Sequence, residues 1–291
     1  MLYDVKLTID YAYDAPTDRA RNLVRLLPSD IAGEQRVLSR LLTVHPMPPE
    51  RSERVDFFGN SVTSLVWHGP ISEVVFKVVA RVERLAPAPR LDLSPPLGLF
   101  GAELAGVQSL APASPHHFAA PSRRAAPDPA MTAFARDAIA GAPTVLAAVE
   151  AVGRAIHATM RFDAKATDVD TPATEAFANR HGVCQDFTHV MISCLRGIGI
   201  PAGYVSGFLR TVPPAGQPRL EGADAMHAWV SAWVGAEMGW VEYDPTNQMW
   251  AGTDHIAIAR GRDYDDVAPV RGAMRGAGGQ ESRQAVDVIS V

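Results

Sequence analysis

The sequence predicts an α+β protein in which an N-terminal antiparallel β domain is followed by a core of helices running into a second antiparallel sheet. Three observations predict it. Apolar and polar residues alternate through the first 85 or so positions, helical spacing with recognisable caps takes over between 129 and 198, and period two returns after Pro201. With 291 residues, 47% of them hydrophobic, the chain can build one large or two modest packed domains. The expected division is a β domain at 1–86, a linker at 87–129 and a catalytic-type core at 130–291.

The first strand covers 2–11, where Tyr3, Val5, Leu7, Ile9 and Tyr11 share one face and Asp4, Lys6, Thr8 and Asp10 the other. Further strands are expected at 34–44, 61–67 and 73–83, with a turn at Gly59-Asn60. Nine of the 23 prolines then fall between 87 and 129 and periodicity disappears, which places the linker there. His116-His117 lies within it, but adjacent histidines point apart in an extended chain and lack further ligands, so no metal site is expected.

Asp128-Pro129 is an N-cap followed by proline at the first helical position, and Gly141 closes that helix. Thr144 caps a longer one with Val145, Val149, Val152, Ile156 and Met160 along one stripe, and Thr171-Pro172 opens a third that ends near Gly182. A fourth carries Phe187, Val190, Met191, Cys194, Leu195 and Ile198 on its buried face, with Gly199 and Pro201 as its stop. Cys184 falls in its first turn. Unpaired N–H groups and the positive end of the helix dipole favour a thiolate there.

After Pro201 a strand is expected around 204–209, then a turn-rich loop at 211–224. The next strand puts His227, Trp229, Ser231 and Trp233 on one face, residues 235–239 turn the chain, and Trp240 to Asp244 returns. With the turn centred on 237, His227 and Asp244 are about three positions out of register, an offset that a bulge or an asymmetric turn could absorb. Residues 252–268 carry Ile256, Ile258 and Val267 and are expected to pack in order beside the cleft.

Composition narrows the function. Net charge is −5 with no basic run, which argues against a nucleic-acid partner. No stretch of about 18 apolar residues could span a bilayer, and Met1 to Lys6 lack the pattern of a signal peptide, so a cytoplasmic protein with no membrane partner is expected. The two cysteines, ten residues apart on one helix, are about 15 Å apart and beyond disulfide reach.

A cysteine at a helix start, a histidine on a strand and an aspartate on the neighbouring strand meet the needs of thiol nucleophilic catalysis. The chain resembles the bacterial transglutaminase-like proteins, a papain-like superfamily of cysteine acyl-transfer enzymes. The matching segments are Gly182-Val183-Cys184-Gln185-Asp186-Phe187, Gly199-Ile200-Pro201-Ala202 with Val205-Ser206-Gly207, His227-Ala228-Trp229-Val230, and Gly239-Trp240 with Asp244-Pro245-Thr246-Asn247. Residues 259–267, Arg25-Leu26-Leu27-Pro28 and Phe58-Gly59-Asn60 extend the likeness over most of the chain.

The resemblance implies a transglutaminase-like core with the nucleophile at a helix N-terminus packed on an antiparallel sheet. It implies Cys184 as nucleophile, His227 as general base and Asp244 as the acid that orients it. Gln185, Asp186, Trp229 and Tyr204 are expected to contact substrate or support the triad, with core packing the simpler role for the tryptophans clustered at the hairpin. His189 lies nearly opposite the apolar stripe, which suits packing or support better than catalysis. The sequence departs from the family at Gly203, where relatives more often carry arginine, and at Met226, where a small residue is commoner.

The expected reaction is attack of Cys184 on an amide of a peptide or protein substrate, through a thioester, with no metal or organic cofactor. Hydrolysis is favoured over transamidation because the hairpin offers few acidic residues to hold an amine (Glu237 and Glu242) and no calcium-loop motif is present. Two other classes compete: a catalytically silent module that binds peptide or a partner in the same groove, and a Cys/His/Asp metal site.

Overall fold

The computed structural model describes residues 1–85, 91–211, 222, 224–275 and 279–291. The N-terminal strands are β1 (Leu2–Thr17), β2 (Arg19–Val24), β3 (Gln35–His45), β4 (Glu50–Val55), β5 (Ser61–Trp67) and β6 (Ile71–Arg84). The alternation read over 2–11 persists to residue 17, and Tyr3, Val5 and Leu7 are fully buried. The strands at 19–24 and 50–55 were not anticipated. Every residue of β4 is exposed, so it carries no buried face from which a period could be read.

The linker holds more structure than its prolines suggest. Helix α1 (Leu97–Gly106) and the short α2 (His116–Ala119) each bury one phenylalanine, Phe100 and Phe118. Phe100 packs against Trp233 and Phe118 against Trp240, so this segment is a strap across the core. Its anchors are isolated aromatics, which leave no periodic trace in a sequence.

The core begins with α3 (Pro129–Ala138), whose N-cap Asp128 accepts from the Ala130 and Met131 N–H groups, and α4 (Val145–Thr159), capped by Thr144. Then come β7 (Arg161–Phe162), α5 (Ala173–Asn179), β8 (His181–Gly182) and α6 (Cys184–Gly197). The parallel pair β7 and β8 fixes the chain immediately ahead of Cys184. Helix α6 is central, packing against α3, α4 and α5 and beneath the sheet.

Five strands form that sheet: β9 (Ala202–Leu209), β10 (Ala225–Trp233), β11 (Trp240–Asp244), β12 (Met249–Trp250) and β13 (His255–Gly261), in the order β12-β11-β10-β9-β13. The turn-rich loop expected at 211–224 lies mostly outside the described residues. Segment 252–268 is ordered as expected: β13 joins β9, and a turn of helix, α7 (Tyr264–Val267), follows.

The expected boundary at 130–291 requires correction. Strands β14 (Val270–Arg275) and β15 (Gln280–Ser290) leave the core and complete the two N-terminal sheets, in the orders β14-β2-β5-β4 and β15-β1-β6-β3. Strand β15 pairs with β1 from Tyr3 to Tyr13, and Val286 and Val288 are buried against it.

Candidate active site

Each segment around Cys184 has a local reason for its shape. Asp186, the third residue of α6, reaches back to accept the Val183 N–H at 2.8 Å and the Thr167 hydroxyl at 2.6 Å, which satisfies an orphan donor at the helix start. Its carboxylate lies over Gly182, where a Cβ would come within 2.5 Å of Oδ2. Only glycine fits there. Burial raises the Asp186 pKa, and these hydrogen bonds oppose the rise. Gln185 is tied through Nε2 to the Val169 carbonyl at 3.1 Å. Cys184 itself is half-buried at the first helical position.

His227 and Asp244 meet without a bulge. Val230 faces Tyr243 and Trp233 faces Trp240, so the turn is centred between Ala236 and Glu237 rather than on 237. Continuing that register sets Asp244 opposite Trp229, two positions from His227 and on the same face. The expected offset of three would have put them on opposite faces. The observed even offset brings His227 Nε2 to 2.7 Å from Asp244 Oδ2, with both side chains buried.

That bond puts Asp244 on the Nε2 side of the ring, where the Asn247 amide also approaches at 3.4 Å, and Cys184 is close enough to act on the imidazole. Burial disfavours a charged His227. The hydrogen bonds to Asp244 and Cys184, with the charges behind them, outweigh burial and raise its pKa to about 10. Asp244 is likewise opposed by burial, yet hydrogen bonds from His227, His255 and Asn247 hold it well below the usual carboxylate range.

His255 is the residue that sequence reasoning missed. Its Nε2 lies 3.1 Å from Asp244 Oδ2, and its Nδ1 accepts the Gly252 N–H at 3.2 Å. The only signal available was its place after Asp254 in the segment expected beside the cleft. His227, Asp244 and His255 bring potential ligand atoms within 4.8 Å of one another. Their chemistry does not suit a cation, however. The Gly252 N–H occupies the lone pair of Nδ1, so in a neutral His255 the proton sits on Nε2 and points at the carboxylate. The cluster is built as a chain of hydrogen bonds.

The remaining expected residues stand around this group. Trp229 is fully buried, donates to Glu242 at 2.9 Å and packs edge-on against His255 with ring centroids 5.1 Å apart. Tyr204 is buried between His189 and Tyr264, where burial and the nearby Cys184 raise its pKa well above the ordinary value. His189 is buried and accepts the Tyr264 N–H, and burial lowers its pKa to about 4. Gly203 has its own steric reason. A Cβ there would fall 2.7 Å from the Phe118 ring and 2.6 Å from the Gly261 carbonyl, so the strap occupies the space an arginine would need.

Comparison with known proteins agrees with this architecture. Residues 132–245 match the transglutaminase-like superfamily and residues 3–83 the bacterial transglutaminase-like N-terminal region. An uncharacterized protein of Mycobacterium tuberculosis is 32% identical over 243 residues, covering 82% of this chain and 77% of its own. Another from Mycobacterium leprae is 30% identical over 280 residues, covering 96% and 95%. The crystal structure named "a Putative Cysteine Protease from Cytophaga hutchinsonii" shares the fold, with a TM-score of 0.78 over 100% of this chain and 91% of that one at 21% identity.

Proposed function

Because the chain belongs to the transglutaminase-like superfamily, with that superfamily's bacterial N-terminal region ahead of the core, we propose that it is a cysteine-dependent acyl-transfer enzyme acting on amide bonds. One observation carries the reading: a cysteine at the first position of α6 stands near a buried imidazole whose Nε2 lies 2.7 Å from the Asp244 carboxylate.

In this reading the Cys184 thiol gives its proton to His227 and its sulfur attacks the amide carbon, forming the C–S bond as the carbonyl electron pair moves to oxygen. The backbone N–H of Cys184, which has no intrahelical acceptor, is the nearest donor along the chain for that oxyanion. Collapse breaks the C–N bond, and His227 delivers the proton to the departing amine. Water then adds to the thioester, His227 takes its proton, and the thiolate leaves as the acid is released. Asp244 holds the imidazole in its working orientation throughout and stabilises the imidazolium.

We favour water over an amine as acceptor. Of the two hairpin acids that could attract an amine, Glu242 is buried and engaged by Arg260 and Trp229. Both cysteines are free thiols, which suits a reducing compartment such as the cytoplasm.

The test is to trap the acyl-enzyme from a peptide and amide library by mass spectrometry. The trapped species is then partitioned between water and millimolar primary amine. Mass added at Cys184 and release as the acid are expected. Predominant amide formation would make the protein a transferase, and no adduct on Cys184 from any member would leave the binding-module reading.

A further inference from the structure

The geometry points to His255 as a positioning residue for the proposed reaction, one that acts through Asp244 and is itself held in place by the N-terminal β domain. This rests on the triad reading above and goes beyond it.

Asp244 is a heavily solicited carboxylate. Oδ1 accepts from the Thr246 and Asn247 N–H groups at 3.0 and 3.1 Å, while Oδ2 accepts from His227 at 2.7 Å, the Asn247 amide at 2.7 Å and His255 at 3.1 Å. The backbone donors and Asn247 all come from the turn that follows Asp244 itself. His255 is the donor that ties the carboxylate to a different strand, on the far side of β9. Without it, the orientation of Asp244 depends on that turn and on His227, the group it has to orient.

The tautomer of His255 is set by the Gly252 N–H, so it offers Asp244 a neutral N–H. A neutral donor stabilises the anion without competing as a second cation for the charge that His227 must carry. The imidazole has no freedom to leave: it is fully buried, with Trp229 edge-on at 5.1 Å and the His227 ring at 6.2 Å. The titratable groups facing His227 are thus Cys184 from α6, Asp244 from β11 and His255 from β13.

Strand β13 takes its position from the N-terminal domain. The Gln35 amide bridges Ala257, donating to its carbonyl at 2.8 Å and accepting from its N–H at 2.9 Å. Ser29 donates to the Ile258 carbonyl, the Tyr3 hydroxyl reaches Asp254 at 3.0 Å, and Asn60 exchanges hydrogen bonds with the Arg260 backbone at both ends. A domain with no side chain among the three triad residues therefore reaches the site through the strand that carries His255 and the bond from His255 to Asp244.

The test needs no substrate. Alkylation of Cys184 by iodoacetamide is measured from about pH 5 to pH 9 in the full chain, with circular dichroism confirming the fold. His255→Gln keeps an N–H at the Nε2 position, His255→Asn keeps a partner for Gly252 but falls short of Asp244, and His255→Phe keeps only bulk. The wild type and His255→Gln are expected to share fast alkylation at about pH 6. His255→Asn and His255→Phe should be about tenfold slower there and converge on the wild type at about pH 9, the scale of one hydrogen bond to a charged group.

A purely structural role would lower melting temperature without this pH-selective change or its rescue by glutamine. Wild-type profiles in the folded His255→Asn or His255→Phe protein would overturn the inference, and so would a loss in His255→Gln equal to theirs. A wild type whose Cys184 shows no enhanced reactivity at about pH 6 would instead remove the triad reading, and this inference with it.

Discussion

Cys184 and Cys194 lie on one helix and in opposite circumstances. Cys194 is fully buried, and burial pushes its pKa up to about 12, whereas Cys184 is half-buried beside an imidazole. Peptide mapping after limited alkylation should find Cys184 labelled at least tenfold faster, and comparable rates at the two would remove the nucleophile. His227→Ala should abolish turnover of a trapped substrate. Asp244→Asn should cut kcat by about 10⁴-fold with the fold intact, as when an orienting carboxylate no longer fixes the tautomer; retention of activity in either would end the triad assignment. The placement of Cys184 at a helix start and of His227 and Asp244 on a hairpin was legible because each segment has a readable local shape. The approach of His255 was not, because two strands separate it from the carboxylate it meets and a backbone N–H holds its ring, neither of which has a spacing rule.

At the scale of elements, helix α6 ends on a buried cation. The Arg196 guanidinium donates to the carbonyls of Ala202, Ala125 and Arg262 and to the Ser122 hydroxyl, and so joins the helix to β9, the strap and the start of α7. Burial lowers its pKa to about 10, leaving it charged at neutral pH near the negative end of its helix. Arg196→Met should destabilise the protein by about 3 kcal/mol in urea unfolding, since several buried acceptors lose their donor; a change under about 1 kcal/mol would show that water replaces it. The helices α3 to α6 were legible from caps and stripes, with Asp128 and Thr144 bonding as their positions predicted, whereas α1 and α2 in the strap were not. The hairpin register was off by one because the midpoint of a glycine-flanked turn cannot be fixed from composition alone.

Taken as a whole, the molecule holds two histidines that respond to pH in opposite senses. His189 is buried as the neutral form, with a folded pKa of about 4 against an ordinary 6.5, so its contribution is present above 6.5 and lost as pH falls toward 4. His227 is raised to about 10, so its contribution is present below 6.5 and lost as pH rises toward 10. Melting temperature should therefore peak near pH 6.5. His189→Gln should flatten the acid side alone and His227→Ala the alkaline side alone, a pattern that melting curves across this range would reveal; parallel curves for all three proteins would refute it. The succession of strands and then helices along the chain was legible from its change of period. The return of β14 and β15 was not, because a strand's alternation tells which face is buried and says nothing of the sheet that buries it.

That return has a consequence for how the protein is made. Strand β1 lies between β6 and β15, and Val291 N–H donates to the Leu2 carbonyl at 3.0 Å. During synthesis β6 can pair with β1 early, but the other side of β1 has no native partner until the whole transglutaminase-like core has left the ribosome. For that interval the first sheet presents an open edge with a row of unpaired N–H and C=O groups, the kind of surface that recruits a stray strand. The nascent protein is thus most exposed to misassembly in its N-terminal domain and at a late stage, and completion of the last strand is the event that seals it.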